Sequence, residues 1–145
     1  MTIENIRDTG RNSARTVDVR VLAEKIQKPS DTEAITAANT ITAAESGTRF
    51  VMNTATARIQ TLPTPAAGLE YWFYVGATEP TGTHTIVTAS SANIIVGNVS
   101  SPEDAAGSVA TVTDADTISL VASKAVHGDF VHVWSDGTNW YLNGQ

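Results

Sequence analysis

The sequence predicts an all-β protein: an antiparallel β-sandwich or barrel-like body over residues 34–145, preceded by an arm and linker over residues 1–33. Three observations predict it. Threonine occurs 21 times in 145 residues, and β-branched side chains at that density suit pleated strands better than helices. Short apolar runs recur between breaks rich in Gly, Pro, Asp and Ser, the spacing of a sandwich or barrel. The last eighteen residues set two apolar runs about Asp136-Gly137, a hairpin signal.

The arm comes first. Residues 1–15 hold Asp, Thr, Gly, Asn, Ser and Arg and little to bury, so they read as an extended arm. From Thr16 the pattern changes. Val19, Leu22, Ala23 and Ile26 fall at i, i+3, i+4 and i+7, one stripe of a short helix. Lys25 and Lys28 suit its C-terminal end and Pro29 stops it. The alternation of Val17, Val19 and Val21 is a rival strand reading. Residues 1–28 carry a charge of +2 and residues 29–145 carry −8, within a net −6. All nine aromatics stand at or after Phe50. A mildly basic, ring-free arm is therefore joined to an acidic, aromatic body.

Within the body, strands are expected over 34–42, 48–53, 57–62, 69–75, 84–88, 93–99, 109–112, 117–121, 130–135 and 139–142. The breaks between them include Glu45-Ser46-Gly47, Pro63-Thr64-Pro65, Glu79-Pro80-Thr81-Gly82 and Ser101-Pro102-Glu103-Asp104. No internal repeat is evident. In the strand 69–75, Leu69, Tyr71, Phe73 and Val75 alternate onto one face, and Glu70, Trp72 and Tyr74 onto the other. A half-exposed strand is normally polar outside. This one is aromatic on both sides, so a second layer or a neighbouring subunit is expected to cover it.

The terminal hairpin repeats that signature. A two-residue loop at Asp136-Gly137 would pair Val133 with Trp140, His132 with Tyr141 and Val131 with Leu142. A three-residue loop with Gly137 at a bulge is the competing register. In the first register Val131, Val133, Trp140 and Leu142 share a core face. Phe130, His132, Trp134 and Tyr141 share the opposite one. The expected oligomer interface is Trp72, Tyr74, Phe130, His132 and Trp134.

Catalytic templates fail on residue type or spacing, and the chain is not expected to be an enzyme or to carry a cofactor or metal. Cysteine is absent, which removes disulfides, thiolate chemistry and cysteine zinc sites. The histidines His84, His127 and His132 have no metal-ligand spacing. Asp114 and Asp116 lack the further ligands of a calcium loop and read as turn residues. A glycoside hydrolase using a pair among Asp104, Asp114, Asp116 and Asp129 is the last of the rival readings. Phosphate-binding glycine loops and Gly-x-Ser-x-Gly are missing. The acidic body argues against nucleic acid as a partner. No apolar run of membrane-spanning length and no basic-then-apolar leader occur, so neither a span nor export is expected.

Four blocks, in order, carry a resemblance. They are Thr42-Ala43-Ala44-Glu45-Ser46-Gly47-Thr48-Arg49-Phe50, Gln60-Thr61-Leu62-Pro63-Thr64-Pro65-Ala66-Ala67-Gly68-Leu69, Ser91-Ala92-Asn93-Ile94-Ile95-Val96-Gly97, and Gly128-Asp129-Phe130 with Ser135-Asp136-Gly137-Thr138-Asn139-Trp140-Tyr141. Together, over about residues 35–145, they resemble small all-β domains of tailed-bacteriophage virions, which occur in head decoration (cement) proteins and in tail-fibre-like proteins. The resemblance implies a structural, non-enzymatic protein that assembles as a homotrimer on a particle. Head decoration is favoured, because a fibre subunit needs a shaft and an attachment domain. The expected partners are copies of itself and the major capsid protein, and the expected location is the capsid exterior. Arg7, Arg11, Arg15 and Arg20 are the expected capsid-binding residues, since guanidinium groups pair with surface carboxylates in forked geometry. A tail-fibre or receptor- and glycan-binding β module is the alternative.

Overall fold

The computed structural model describes residues 31–76, 80–101 and 108–145. The expected arm, its helix and Arg7, Arg11, Arg15 and Arg20 lie outside the described residues, as do Glu103 and Asp104. Among the described residues eleven strands form two facing sheets. The large sheet orders β1 (Thr32–Ile35), β3 (Arg49–Met52), β5 (Glu70–Val75), β10 (Phe130–Ser135), β11 (Trp140–Gly144), β7 (Ile95–Ser101) and β8 (Ser108–Ala115). The small sheet orders β2 (Asn39–Thr40), β4 (Ile59–Thr61), β6 (His84–Val87) and β9 (Thr117–Leu120). The all-β, two-layer body is as the sequence predicts.

Strand direction is not. Five of the nine ladders are parallel: β1–β3, β3–β5, β2–β4, β4–β6 and β7–β11. The cause is the route of the chain. From β1 to β6 it alternates strictly between the sheets, so each return to a sheet runs in the same direction as the last. Residues 32–87 therefore wind as a flattened coil of three turns, a short solenoid in which each turn contacts its neighbours. Register separates Thr32 from Arg49 by 17 residues and Arg49 from Trp72 by 23. Turns of unequal length leave no fixed period in the sequence, which is why no repeat is visible there.

The coil stacks its inner side chains. Ile35, Met52 and Val75 occupy equivalent positions on successive turns and are all buried. Phe50 and Phe73 pair across the same ladder with ring centroids 5.3 Å apart. On the small sheet, Ile41 N–H donates to Thr61 O at 2.9 Å and Leu62 N–H to Val87 O at 2.8 Å. This extends the ladders past the strand ends and carries Ile41 and Leu62 into the core.

The expected strand 34–42 is two strands in different sheets. Ile35 and Ile41 must both point inward, so the chain bends between them. The next turn of the coil satisfies the bend: Arg58 Nε donates to Thr36 O at 3.0 Å and Gln60 Nε2 to Ala37 O at 3.0 Å. His84, also buried, ties the coil on the other side. Its Nδ1 accepts the Arg58 N–H at 3.2 Å, and its Nε2 donates to Thr54 O at 3.0 Å.

Both expected hairpin registers are corrected. β10 pairs with β11 through Ser135 and Trp140, Trp134 and Tyr141, and Val133 and Leu142, leaving a four-residue loop. Asp136 decides this: its Oδ1 accepts the N–H groups of Thr138 and Asn139, both at 2.8 Å, an Asx turn that consumes two more residues. Gly137 takes φ +104° inside it. The slip is two residues, so the faces survive. Val131, Val133, Trp140 and Leu142 are all buried.

Two changes test this framework. Gly97, at φ +151° in β7, lies against β11 so closely that a Cβ would stand 2.0 Å from the Leu142 carbonyl oxygen. Gly97→Ala is expected to cost at least about 3 kcal/mol in urea unfolding, because backbone must move on both strands. Tyr71 is fully buried and donates to Thr42 O at 2.9 Å. Burial, and then the Glu45 carboxylate, push its hydroxyl up from 10.0 to about 12. A raised value favours the folded state while the hydroxyl stays protonated, so that stability is full below about pH 10 and is lost as pH rises toward 12. Tyr71→Phe is expected to remove this alkaline step and to cost about 1 kcal/mol at neutral pH, the net worth of one hydrogen bond.

Candidate functional site: an aromatic sheet face

The small sheet covers only the inner face of the large one. Along β5, β10 and β11 the outward positions carry Glu70, Trp72, Tyr74, Phe130, His132, Trp134 and Tyr141. Strand register sorts them into rows. Glu70, Trp134 and Tyr141 are neighbours across the sheet, as are Arg49, Trp72, His132 and Asn143, and Val51, Tyr74 and Phe130. The structure thus brings all five expected interface residues together on one face. The same ladders add Tyr141, whose outward position the alternation already indicated, and Glu70, whose role it did not.

The rings order one another. Trp72 stacks on His132 at 3.8 Å with an 11° interplanar angle, and Trp134 stacks on Tyr141 at 4.3 Å and 15°. Tyr74 lies parallel to Trp72 at 6.2 Å, and Phe130 is tilted against both. Glu70 Oε1 accepts the Trp72 indole N–H at 3.1 Å and lies 3.2 Å from His132 Nε2, which donates when it carries the proton. One carboxylate oxygen therefore fixes two stacked rings. At the hairpin end, Tyr141 O–H donates to Asp136 Oδ2 at 2.9 Å. The two backbone N–H bonds and this hydroxyl hold the Asp136 carboxyl below the ordinary range, and Asp136 in turn pushes the Tyr141 hydroxyl up.

Among the described residues no strand layer covers this face. Trp72, Tyr74, Phe130 and His132 are half-buried by their neighbours, and Trp134 is 43% exposed. Among the described residues, two of the acids weighed for catalysis, Asp116 and Asp129, make local hydrogen bonds. Asp114 adopts φ +53° at the end of β8, Asp116 Oδ1 accepts the Thr117 hydroxyl at 2.9 Å, and Asp129 Oδ2 accepts the Val126 N–H at 3.0 Å. His127 is exposed in the loop before β10. Among the described residues no three His, Asp or Glu side chains gather as metal ligands would. Comparison with known protein families, with curated proteins and with solved structures returned no match.

Trp134 is expected to supply the acrylamide-quenchable fluorescence of the dilute protein, and Trp140, fully buried, the resistant part. Trp134→Phe should remove most of the quenching. Trp72→Leu keeps apolar area but removes the stack, and is expected to cost about 1 kcal/mol in urea unfolding. A carboxyl held low stabilises the turn above its unfolded value and stops doing so as pH falls through its folded one. Acidification below the ordinary carboxylate range should therefore lower the protection of the Asn139 amide relative to its intrinsic exchange rate at that pH, and Asp136→Ala should lower it at neutral pH.

Proposed function

We propose that this face is an assembly surface, and that the protein is a structural component of a bacteriophage virion, a head decoration protein acting as a homotrimer on the capsid exterior. The observation that carries the assembly reading is the outer face itself: six aromatic or imidazole rings, four in one cluster (Trp72, Tyr74, Phe130, His132) and two in a stacked pair (Trp134, Tyr141), with no strand layer over them among the described residues. Contiguous apolar patches of this kind on a small domain mark contact with another macromolecule. Aromatic residues that hold each other rigid lose little conformational entropy on docking, which favours association. Each stacked ring gives one face to its partner, which reduces the open aromatic face that a sugar ring would stack on. The resemblance of the sequence to virion domains supplies the setting and the trimer.

In this reading Trp72, Tyr74, Phe130, His132 and Trp134 are buried between copies, in an interface of roughly 1,200–2,000 Å². Arg7, Arg11, Arg15 and Arg20 contact the major capsid protein. A protein that binds only the assembled shell stabilises it by mass action. No bond is made or broken.

Sedimentation velocity over a range of concentrations tests the assembly surface. The wild type should sediment as a trimer with Trp134 shielded from acrylamide. Phe130→Arg with Trp134→Arg should give a monomer with an unchanged β-type circular dichroism spectrum. A wild-type monomer at high concentration, with Trp134 still quenchable, overturns the reading. Replacing the four arginines by serine should weaken attachment to phage heads at least tenfold without changing the oligomer; full-strength attachment removes the arm from the mechanism. Strong glycan-array signals abolished by Trp134→Ala would reassign the face to sugar binding.

A further inference from the structure

Two unlike charges stand in the aromatic face. Across β1, β3, β5, β10 and β11, which adjoin in the large sheet, the outward strand positions are aromatic, imidazole, apolar or neutral polar, except for Arg49 and Glu70. Register sets Arg49 beside Trp72, and Glu70 one row nearer the hairpin loop, across from Trp134. Both are exposed. They lie on adjacent strands, yet they make no ion pair with each other. Glu70 Oε1 is held toward β10, accepting the Trp72 indole N–H at 3.1 Å and lying 3.2 Å from His132 Nε2. Glu70 Oε2 accepts no hydrogen bond among the described residues. Arg49 is fixed by its backbone, whose N–H donates to Asp31 O at 2.8 Å. Its guanidinium has no ion-pair partner among the described residues.

Water satisfies both charges while the face is open. Burial of the face removes that water, and a buried charge without a partner costs several kcal/mol. Each charge then needs its opposite from whatever covers the face. A surface that presents one guanidinium and one carboxylate beside the same rings is a second copy of this chain. We propose that Arg49 of one copy pairs with Glu70 of the next. The guanidinium reaches Oε2 and leaves Oε1 on the two rings. Charge complementarity of this kind fixes the register of a contact and rejects wrong partners. In a ring of copies each gives Arg49 to one neighbour and Glu70 to the other, so one residue of each sign suffices. The pairing rests on the assembly reading and adds to it the contact that orients the copies.

A double-mutant cycle on the full chain tests the pairing by sedimentation velocity. Arg49→Met keeps the aliphatic stem. Glu70→Gln removes the charge and keeps an oxygen for the Trp72 and His132 rings. Each is expected to raise the midpoint concentration of association at least about tenfold. The double variant should go no further than a single change, because the second charge has already lost its partner. Circular dichroism and urea unfolding of dilute samples should match the wild type. Crosslinking supplies the second measurement. The chain has no cysteine, so Arg49→Cys and Glu70→Cys copies carry one thiol each. A short bismaleimide added to their mixture should join unlike copies in preference to like ones. If the wild type assembles and the single variants associate as tightly, or the double variant shows the two effects multiplied, the pairing is overturned and the assembly reading stands. A wild type that stays monomeric at high concentration overturns both, and shielding of Trp134 only on phage heads would then give the two charges to the capsid protein.

Discussion

The structure depends on a chain that changes sheets at every step from β1 to β6. That route forces successive strands of each sheet to be parallel and brings equivalent positions of successive turns into register. An inward residue must then pack against its own counterpart one turn away. Phe50 on Phe73, and Ile35 beside Met52 and Val75, meet that condition with side chains of similar bulk. The polar demands of the bends are met in the same way, by side chains of the next turn, Arg58 and Gln60, reaching back to the carbonyls of the previous one. A polar group inside such a bend would otherwise stay unpaired at a cost of roughly 1–3 kcal/mol.

After β6 the rule lapses, and the lapse creates two features. β7, β8, β10 and β11 all join the large sheet, while β9 alone joins the small one. The large sheet becomes broad enough to present three adjacent aromatic strands outward. It also becomes broader than its cover, which opens a slot beside β9. One topological choice produces an aromatic exterior on one side and an incomplete layer on the other.

The sequence made the faces legible and the partners illegible. A period of two residues states which side chains share a side of a strand, and a slip of two residues leaves that statement true. This is why Val131, Val133, Trp140 and Leu142 were assigned to the core although the expected hairpin register was wrong. Nothing in the pattern states which sheet a strand joins. The break between Ile35 and Ile41 has no proline or glycine, since its carbonyls are satisfied by residues more than twenty positions downstream. The aromatic face was readable because Trp72, Tyr74, Phe130, His132 and Trp134 alternate with core residues. Glu70 was not, because its place between an indole and an imidazole comes from pairing β5 with β10, strands about sixty residues apart.

A coil has no intrinsic number of windings. Among the described residues β1 pairs only with β3, Thr32, Glu33 and Ala34 are exposed, and Glu33 places there the charge that discourages stray pairing. Nothing in the geometry of that side stops a further winding from being laid upon it. A gene encoding this scaffold can grow by duplicating one loop of the spiral, lengthening the domain stepwise while the aromatic strands β5, β10 and β11 stay untouched.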